Sequence, residues 1–350
     1  LNQIEYSLDE LGWKPSFQEQ LSSEEQDTTL PARVTKTHKG HLVVSTGKEE
    51  LLLQIAETGV GSLNEQPTVG DWLLLNKETQ VPTRLLERSS LLQRMSPGQE
   101  IKLQPIAANI NTLLIVSSCN TEFNLNRLER YICLAMEADI EFVMVLTKAD
   151  LAEDPQEYLE KAQKLHDSMP VMVVNSKDTE SVKALQNWFG KGESLVLLGS
   201  SGVGKSTLLN TINGTSKQKV GAIRVGDDKG RHTTTSRSLH VMPSGALLID
   251  VPGIRELQLY DCESGVYNAF NEVSELTEQC KFADCSHKNE PGCAIRAALE
   301  DGIIDQRRLD NYQKLIEESE LNKENIAERV KRKSESGRKK NKDSKYKWRK

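Results

Sequence analysis

The chain has 350 residues, 37% hydrophobic and 27% charged, which suits two or three soluble domains at about 150 residues each. No apolar run exceeds the six residues Tyr131–Met136, and the six cysteines are sparse, so a transmembrane helix and a disulfide scaffold are both excluded. The formal charge of -6 hides an asymmetry: residues 331–350 hold eleven Lys and Arg against Glu335 and Asp343, leaving 34 basic and 49 acidic residues elsewhere, so a polyanion is expected to meet the tail rather than the body.

The first residues are polar (Asn2, Gln3, Glu5) and show no signal peptide, and Leu1 in place of Met puts the expected natural start upstream. The cytoplasm is the expected location. Residues 1–29 have few apolar anchors and are expected to form a mobile polar extension. From Pro31 to about Arg94, strand-like runs at Val34, Leu42–Val44, Leu51–Ile55 and Trp72–Leu75 alternate with turn signals such as Lys39-Gly40 and Gly70-Asp71. This spacing predicts a small β-barrel over residues 30–97, of OB or SH3-like type. Arg33, Lys36 and Lys39 are its candidate RNA-facing cations.

Beyond Met95-Ser96-Pro97-Gly98 the pattern changes. Apolar strands at Thr112–Ser117, Glu141–Leu146, Val171–Val174, Ser194–Leu198 and Ala246–Ile249 alternate with helical stretches such as Leu125–Glu137. That alternation predicts a mainly parallel sheet covered by helices over residues 98–272. Residues 273–330 form a helical, cysteine-bearing module, and residues 331–350 a solvated basic tail. No internal repeat is present.

Gly199-Ser200-Ser201-Gly202-Val203-Gly204-Lys205-Ser206 follows a strand and precedes a helix, the setting a phosphate loop requires. Glycines let backbone N–H groups turn around phosphate oxygens at a helix N-terminus. Lys205 reaches the β- and γ-phosphates, and the Ser206 hydroxyl ligates Mg²⁺. Downstream, Asp250-Val251-Pro252-Gly253 ends a strand, where Asp250 can hold Mg²⁺ through water and the Gly253 backbone can sense the γ-phosphate. Between them, Gly230-Arg231-His232-Thr233-Thr234-Thr235 suits a loop that closes on the metal and γ-phosphate, with Thr234 the candidate ligand and Thr233 the alternative.

Thr147-Lys148-Ala149-Asp150 ends another strand. A carboxylate there accepts from guanine N1–H and the exocyclic amine, a donor pair adenine lacks. Lys148 can lie along the base, and the Ser176 backbone N–H can approach guanine O6, unless Asn175-Ser176 merely caps a helix. The base motif precedes the phosphate loop, the reverse of ordinary GTPases, so the order is circularly permuted. Finally, Cys280-x4-Cys285-x-His287-x5-Cys293 offers a Cys3His set for tetrahedral Zn²⁺ with no open position, hence a structural metal. Cys119, Cys133 and Cys262 have no such company.

Together these features resemble the RsgA (YjeQ) family of small-subunit-dependent GTPases, over roughly residues 31–320. The resemblance implies an N-terminal OB-fold, a central permuted GTPase and a zinc domain. It implies a GTP hydrolase that acts on the 30S ribosomal subunit and its 16S rRNA late in maturation. Hydrolysis to GDP and phosphate is stimulated by the subunit and coupled to release. The family's phosphate loop maps onto Gly199–Thr207, its second switch onto Asp250–Gly253 and its zinc ligands onto Cys280, Cys285, His287 and Cys293. Mg²⁺ with GTP, one structural Zn²⁺ per chain, a monomer and no membrane partner are expected. Thr147 stands where Asn is common, a change that touches one base contact and the tie to the phosphate loop. Ile254 occupies the position of the water-orienting glutamine, which points to His232 as the catalytic residue. Two other readings compete: a GTP-regulated RNA-binding switch with incidental hydrolysis, and a P-loop ATPase of RNA metabolism.

Overall fold

Strands buried on both faces read as unbroken apolar runs, and those runs form the centre of the sheet. The computed structural model describes residues 5–38, 40–54, 65–95, 103–214, 237–251 and 262–322. Its strands are β1 (Thr29–His38), β2 (His41–Ser45), β3 (Glu50–Gln54), β4 (Trp72–Asn76), β5 (Pro82–Leu85), β6 (Leu91–Met95), β7 (Leu103–Ala108), β8 (Thr112–Ser118), β9 (Glu141–Thr147), β10 (Val171–Val173), β11 (Ser194–Leu198), β12 (Arg237–Val241) and β13 (Leu247–Asp250). Its helices are α1 (Pro15–Gln18), α2 (Ser23–Thr28), α3 (Leu125–Glu137), α4 (Pro155–Gln163), α5 (Thr179–Lys183), α6 (Lys205–Ile212), α7 (Glu263–Ala269), α8 (Asn271–Glu278) and α9 (Ala294–Glu300). A further helix covers residues 306–322. The chain divides into two units, Leu1–Gln93 with Gln104–Leu257, and Arg94–Leu103 with Gln258–Lys350.

In the first unit the sheet order is β10-β9-β8-β11-β13-β12-β1-β2-β3, with β4 on β1 and β5 on β4. Strands β10, β9, β8, β11 and β13 are mutually parallel, whereas β12 runs antiparallel to β13 and β1 antiparallel to β12. The expected parallel layer is therefore present inside a mixed sheet. All seven residues of β8 are buried. Leu114, Val116, Val143, Val145, Leu195 and Leu248 pack with Leu208 and Leu209 of α6 on one face. Local signals place the helices: Asn124 caps α3 by accepting from Arg127 N–H, and Asp154 and Asp178 do the same for α4 and α5.

The N-terminal strands form an antiparallel set in the order β5-β4-β1-β2-β3. They enclose Ala32, Val34, Leu42, Val44, Leu73 and Leu75. In β3 the alternation is plain, with Leu51 and Leu53 turned to this cluster and Leu52 exposed. No gap separates this set from the parallel layer, because Lys36 and Thr37 of β1 pair with Ser238 and Arg237 of β12.

Two expectations are corrected. The N-terminal segment is not a mobile extension over residues 5–28: Leu11, Phe17 and Leu21 are buried against Trp72, Leu74 and Leu86. Trp13 meets Trp72 edge-on with centroids 4.8 Å apart, and a Ser22/Glu25 capping box starts α2. A handful of large apolar side chains anchors a segment whose average polarity conceals them. Arg33 does not face solvent either. It is buried, donates to the carbonyls of Leu11 (3.2 Å) and Asn109 (3.3 Å) and to Ser194 Oγ (3.0 Å), and lies over the Trp72 ring. Burial pushes its guanidinium down to about 9. Lys36 sits 3.7 Å from Glu50, and Lys39 lies outside the described residues.

The second unit is helical. Phe270, Val273, Ile295, Ala298, Leu309 and Leu315 are buried in it. Arg308 stacks 4.2 Å over Phe270, donates to Glu272 (2.6 Å) and closes the Ala269 carbonyl (2.9 Å). Residues 262–272 belong here by their packing rather than to the parallel layer, since α7 and α8 pack on each other and α8 on α9.

Candidate nucleotide site and metal centre

Five parallel strands end on one edge of the sheet, and four of the five deliver a loop with chemistry. Leu198 pairs with Ile115 and Thr147 with Ser118, so the loops after β11 and β9 stand on either side of the end of β8. The chain runs outward from this point in both directions, β8 to β10 on one side and β11 to β13 on the other. Ligands of open α/β sheets bind at such a reversal, beyond the carboxyl ends of the strands.

The phosphate loop has the close backbone approach its glycines allow. A Cβ on Gly199 would lie 2.2 Å from the Val116 carbonyl oxygen, and Gly204 starts α6 with φ 95°. Lys205 is buried and donates to the Gly199 (2.9 Å) and Ser200 (2.6 Å) carbonyls, which keeps the ammonium on the loop itself. Val203 is buried, while Ser201, Gly202 and Thr207 are exposed. The Ser206 hydroxyl is buried and has no hydrogen-bond partner among the described residues. An orphaned buried oxygen at the start of this helix suits a cation ligand. Asp250 is largely buried, and burial pushes its carboxyl above the ordinary Asp value. Its charge is disfavoured without a cation nearby, so both residues fit Mg²⁺.

Sequence reasoning missed the support behind the loop. Arg127 on α3 hydrogen-bonds to the Ser200 side chain, with Tyr131 one turn further along the same face. Arg127 also lies 3.6 Å from Glu122. The local signal was the Asn124 cap that starts the helix; residues 127 and 131 then share a face because they are four apart.

At the base end, the Thr147 hydroxyl hydrogen-bonds to the Ser117 carbonyl (3.0 Å) and to the carbonyl of Val203 in the phosphate loop. The tie between base motif and phosphate loop is thus kept with Thr in place of Asn. Lys148 takes a left-handed conformation (φ 58°), and Asp150 is exposed in the tight turn Ala149–Leu151. Val174 N–H donates to the Leu146 carbonyl (2.8 Å), which brings the 175–177 turn beside it. Asn175 is not a helix cap: its Oδ1 accepts from Lys177 N–H (3.0 Å), and Asp178 caps α5. Ser176 is fixed from below by Thr211 Oγ1, which donates to its carbonyl (2.6 Å). His232, Thr233, Thr234, Gly253 and Ile254 lie outside the described residues, as does the tail 331–350.

The second unit brings Cys280, Cys285, His287 and Cys293 together, their ligand atoms all within 4.8 Å of one another. Cys280 Sγ lies 3.9 Å from Cys293 Sγ and 3.6 Å from His287 Nδ1. The edge of a tetrahedron with metal–sulfur bonds of about 2.3 Å is about 3.8 Å, so the group could hold a metal ion. Burial opposes ionisation of Cys280, but the N–H groups of Ile295 and Ala294 bring its thiol below the usual value. Glu290, also missed, organises the loop by accepting from the N–H groups of Ser286, Lys288 and Asn289, each at 3.0 Å. His287 between them is left-handed (φ 60°). Cys119, Cys133 and Cys262 are buried elsewhere.

The family described as RsgA GTPase matches residues 85–260. One described as ABC transporter matches residues 182–341, a stretch that includes the phosphate loop common to P-loop proteins. The chain is 47% identical over 321 residues to Small ribosomal subunit biogenesis GTPase RsgA 2 of Vibrio parahaemolyticus, covering 92% of this chain and 88% of the relative. It is 43% identical over 322 residues to Small ribosomal subunit biogenesis GTPase RsgA of Mesorhizobium japonicum, covering 90% and 91%. The crystal structure of YjeQ from Thermotoga maritima superposes with a TM-score of 0.60 at 26% identity, covering 82% of this chain and 97% of that one. YloQ, described as a circularly permuted GTPase, gives 0.57 at 22% identity over 88% and 99%, a likeness of fold. Among the described residues no helix is long and apolar enough to cross a membrane.

Proposed function

The chain belongs to the RsgA GTPase family, and on that footing we propose that it hydrolyses GTP to GDP and phosphate during biogenesis of the small ribosomal subunit. It binds the 30S subunit and its 16S rRNA late in maturation, the subunit stimulates hydrolysis, and hydrolysis is coupled to release. The observation that carries this reading is the junction of base motif and phosphate loop in permuted order, made by the Thr147 hydroxyl on the Val203 carbonyl.

Within this reading, residues 30–97 are an OB-type RNA-binding barrel, 98–257 the GTPase, the helices from α7 to residue 330 a zinc-binding helical domain and 331–350 an RNA-binding tail. The protein works as a monomer in the cytoplasm. The backbone of Gly199–Gly204 cradles the phosphates, and Lys205 leaves its loop carbonyls for the β- and γ-phosphates. Asp150 reads the N1 and N2 donors of guanine. Ser206, Thr234 and Asp250 would hold Mg²⁺, which would supply neutralisation of the phosphate charge. Cys280, Cys285, His287 and Cys293 hold one structural Zn²⁺. With Ile254 unable to orient water, turnover is slow until His232 is brought in on the ordered loop.

The test is GTP turnover by the protein alone, with 30S subunits and with 50S subunits, with ATP as control. Strong stimulation by 30S alone, lost in His232→Ala while GTP binding persists, is the expected result. Tight GTP binding without stimulation would replace the enzyme by a GTP-regulated RNA-binding switch. Hydrolysis of ATP at a rate equal to GTP would remove the guanine assignment.

A further inference from the structure

Beside the phosphate loop lies a hydroxyl that bonds to nothing among the described residues. Ser176 is only 6% exposed, and its Oγ has no hydrogen-bond partner among the described residues. Its position is defined: the space next to Gly204, where a Cβ would sit, is 3.4 Å from Thr147 Oγ1 and 3.7 Å from Ser176 Oγ. The two hydroxyls therefore flank the same point, where the base motif meets the phosphate loop.

They are not equivalent. A threonine hydroxyl has one proton, and Thr147 is already shared between the Ser117 and Val203 carbonyls. It ties the two loops together and has no donor left for a ligand. Ser176 has its proton uncommitted, in a place where leaving a polar group unpaired is unfavourable. The backbone does not let it escape, because Thr211 and the Val174–Leu146 bond hold the turn on both sides. Guanine offers two acceptors on one edge, O6 and N7, opposite in character to the N1 and N2 donors that Asp150 meets.

We propose that the Ser176 side chain, beyond its backbone, is a donor that hydrogen-bonds the O6/N7 edge of the bound guanine and adds affinity there, while Thr147 performs only the tie between loops. This deepens the proposed function and rests on the guanine assignment. A hydroxyl can also accept, so Ser176 adds affinity for guanine while Asp150 excludes adenine.

The experiment measures Ser176→Ala against the full-length parent, with Kd for a non-hydrolysable GTP analogue, for its 7-deaza counterpart lacking N7, and for the 2-aminopurine counterpart lacking O6. Melting of the nucleotide-free protein is recorded in parallel. The expected result is a roughly three- to tenfold loss of affinity for the GTP analogue. The loss vanishes for whichever counterpart lacks the bonded atom, and the nucleotide-free variant melts no lower than the parent. Equal loss for all three ligands with a lowered melting temperature would assign Ser176 a structural role and overturn the proposal. No loss for any ligand would overturn it as well. Failure of the underlying guanine reading looks different: the parent itself would bind the ATP analogue as tightly as the GTP analogue.

Discussion

Asp250 carries a titration that can be followed by experiment. Burial raises its folded-state pKa above the unfolded value, so the folded protein binds the proton more tightly. The associated stability is complete below the unfolded pKa and is lost as pH rises through the folded one. Asp250→Asn should therefore raise the melting temperature of the nucleotide-free protein at pH 7, and the difference should shrink towards zero as the pH falls below the carboxylate range. A constant difference at every pH would show that the effect is not ionisation. Residues at this scale were legible where chemistry fixes their spacing: the Cys3His set stands in a short motif with few alternative uses, and its ligand atoms come together. Arg127 was not, because its partner Ser200 lies on a different element about seventy residues away. Glu290 was close in sequence to the metal ligands, but an acid that organises backbone N–H groups has no motif of its own.

Helices and strands with one face or both faces in the core were readable in advance. Leu125–Glu137 and Ser194–Leu198 have the bounds that periodicity and apolar runs indicated. Strand β12 was not readable, since Arg237–Val241 has two aliphatic residues and owes its form to hydrogen bonds with β13 and β1. The segment 5–28 failed for another reason: its anchors Leu11, Phe17 and Leu21 are too few and too far apart to set a period, and their partner Trp72 is remote. Phe17 is buried against Trp72 and Leu74, so Phe17→Ala should lower the unfolding free energy by about 3 kcal/mol or more, read from urea denaturation. An unchanged midpoint would mean that the segment does not contribute to the fold.

For the molecule as a whole, charge is divided by sequence position rather than spread evenly. The body is acidic and residues 331–350 are basic, with Tyr346 and Trp348 among the cations. Phosphate pairing and base stacking are then available on the same short stretch. Deleting residues 331–350 should weaken 30S binding and flatten the dependence of log affinity on log salt by about 0.7–0.9 for each phosphate the tail neutralises. An unchanged slope in filter-binding or sedimentation assays would place the RNA-binding surface elsewhere. Composition revealed this division, whereas the division into folded units needed the structure, because β1 joins strands that sequence assigned to a separate barrel.

That joining strand has a mechanical meaning. β12 begins directly after residues 215–236 and is bonded on one side to β13, which ends in Asp250, and on the other to β1. Domains on a flexible tether can ignore one another's movements, because slack in the tether absorbs them. A hydrogen-bonded ladder has no slack of that kind: a shift of one residue would turn every side chain of β12 to the opposite face. A pull transmitted into β12 must therefore either break pairs in register or carry β1 with it. The N-terminal strands are in this sense built into the same sheet as the strand that ends in Asp250.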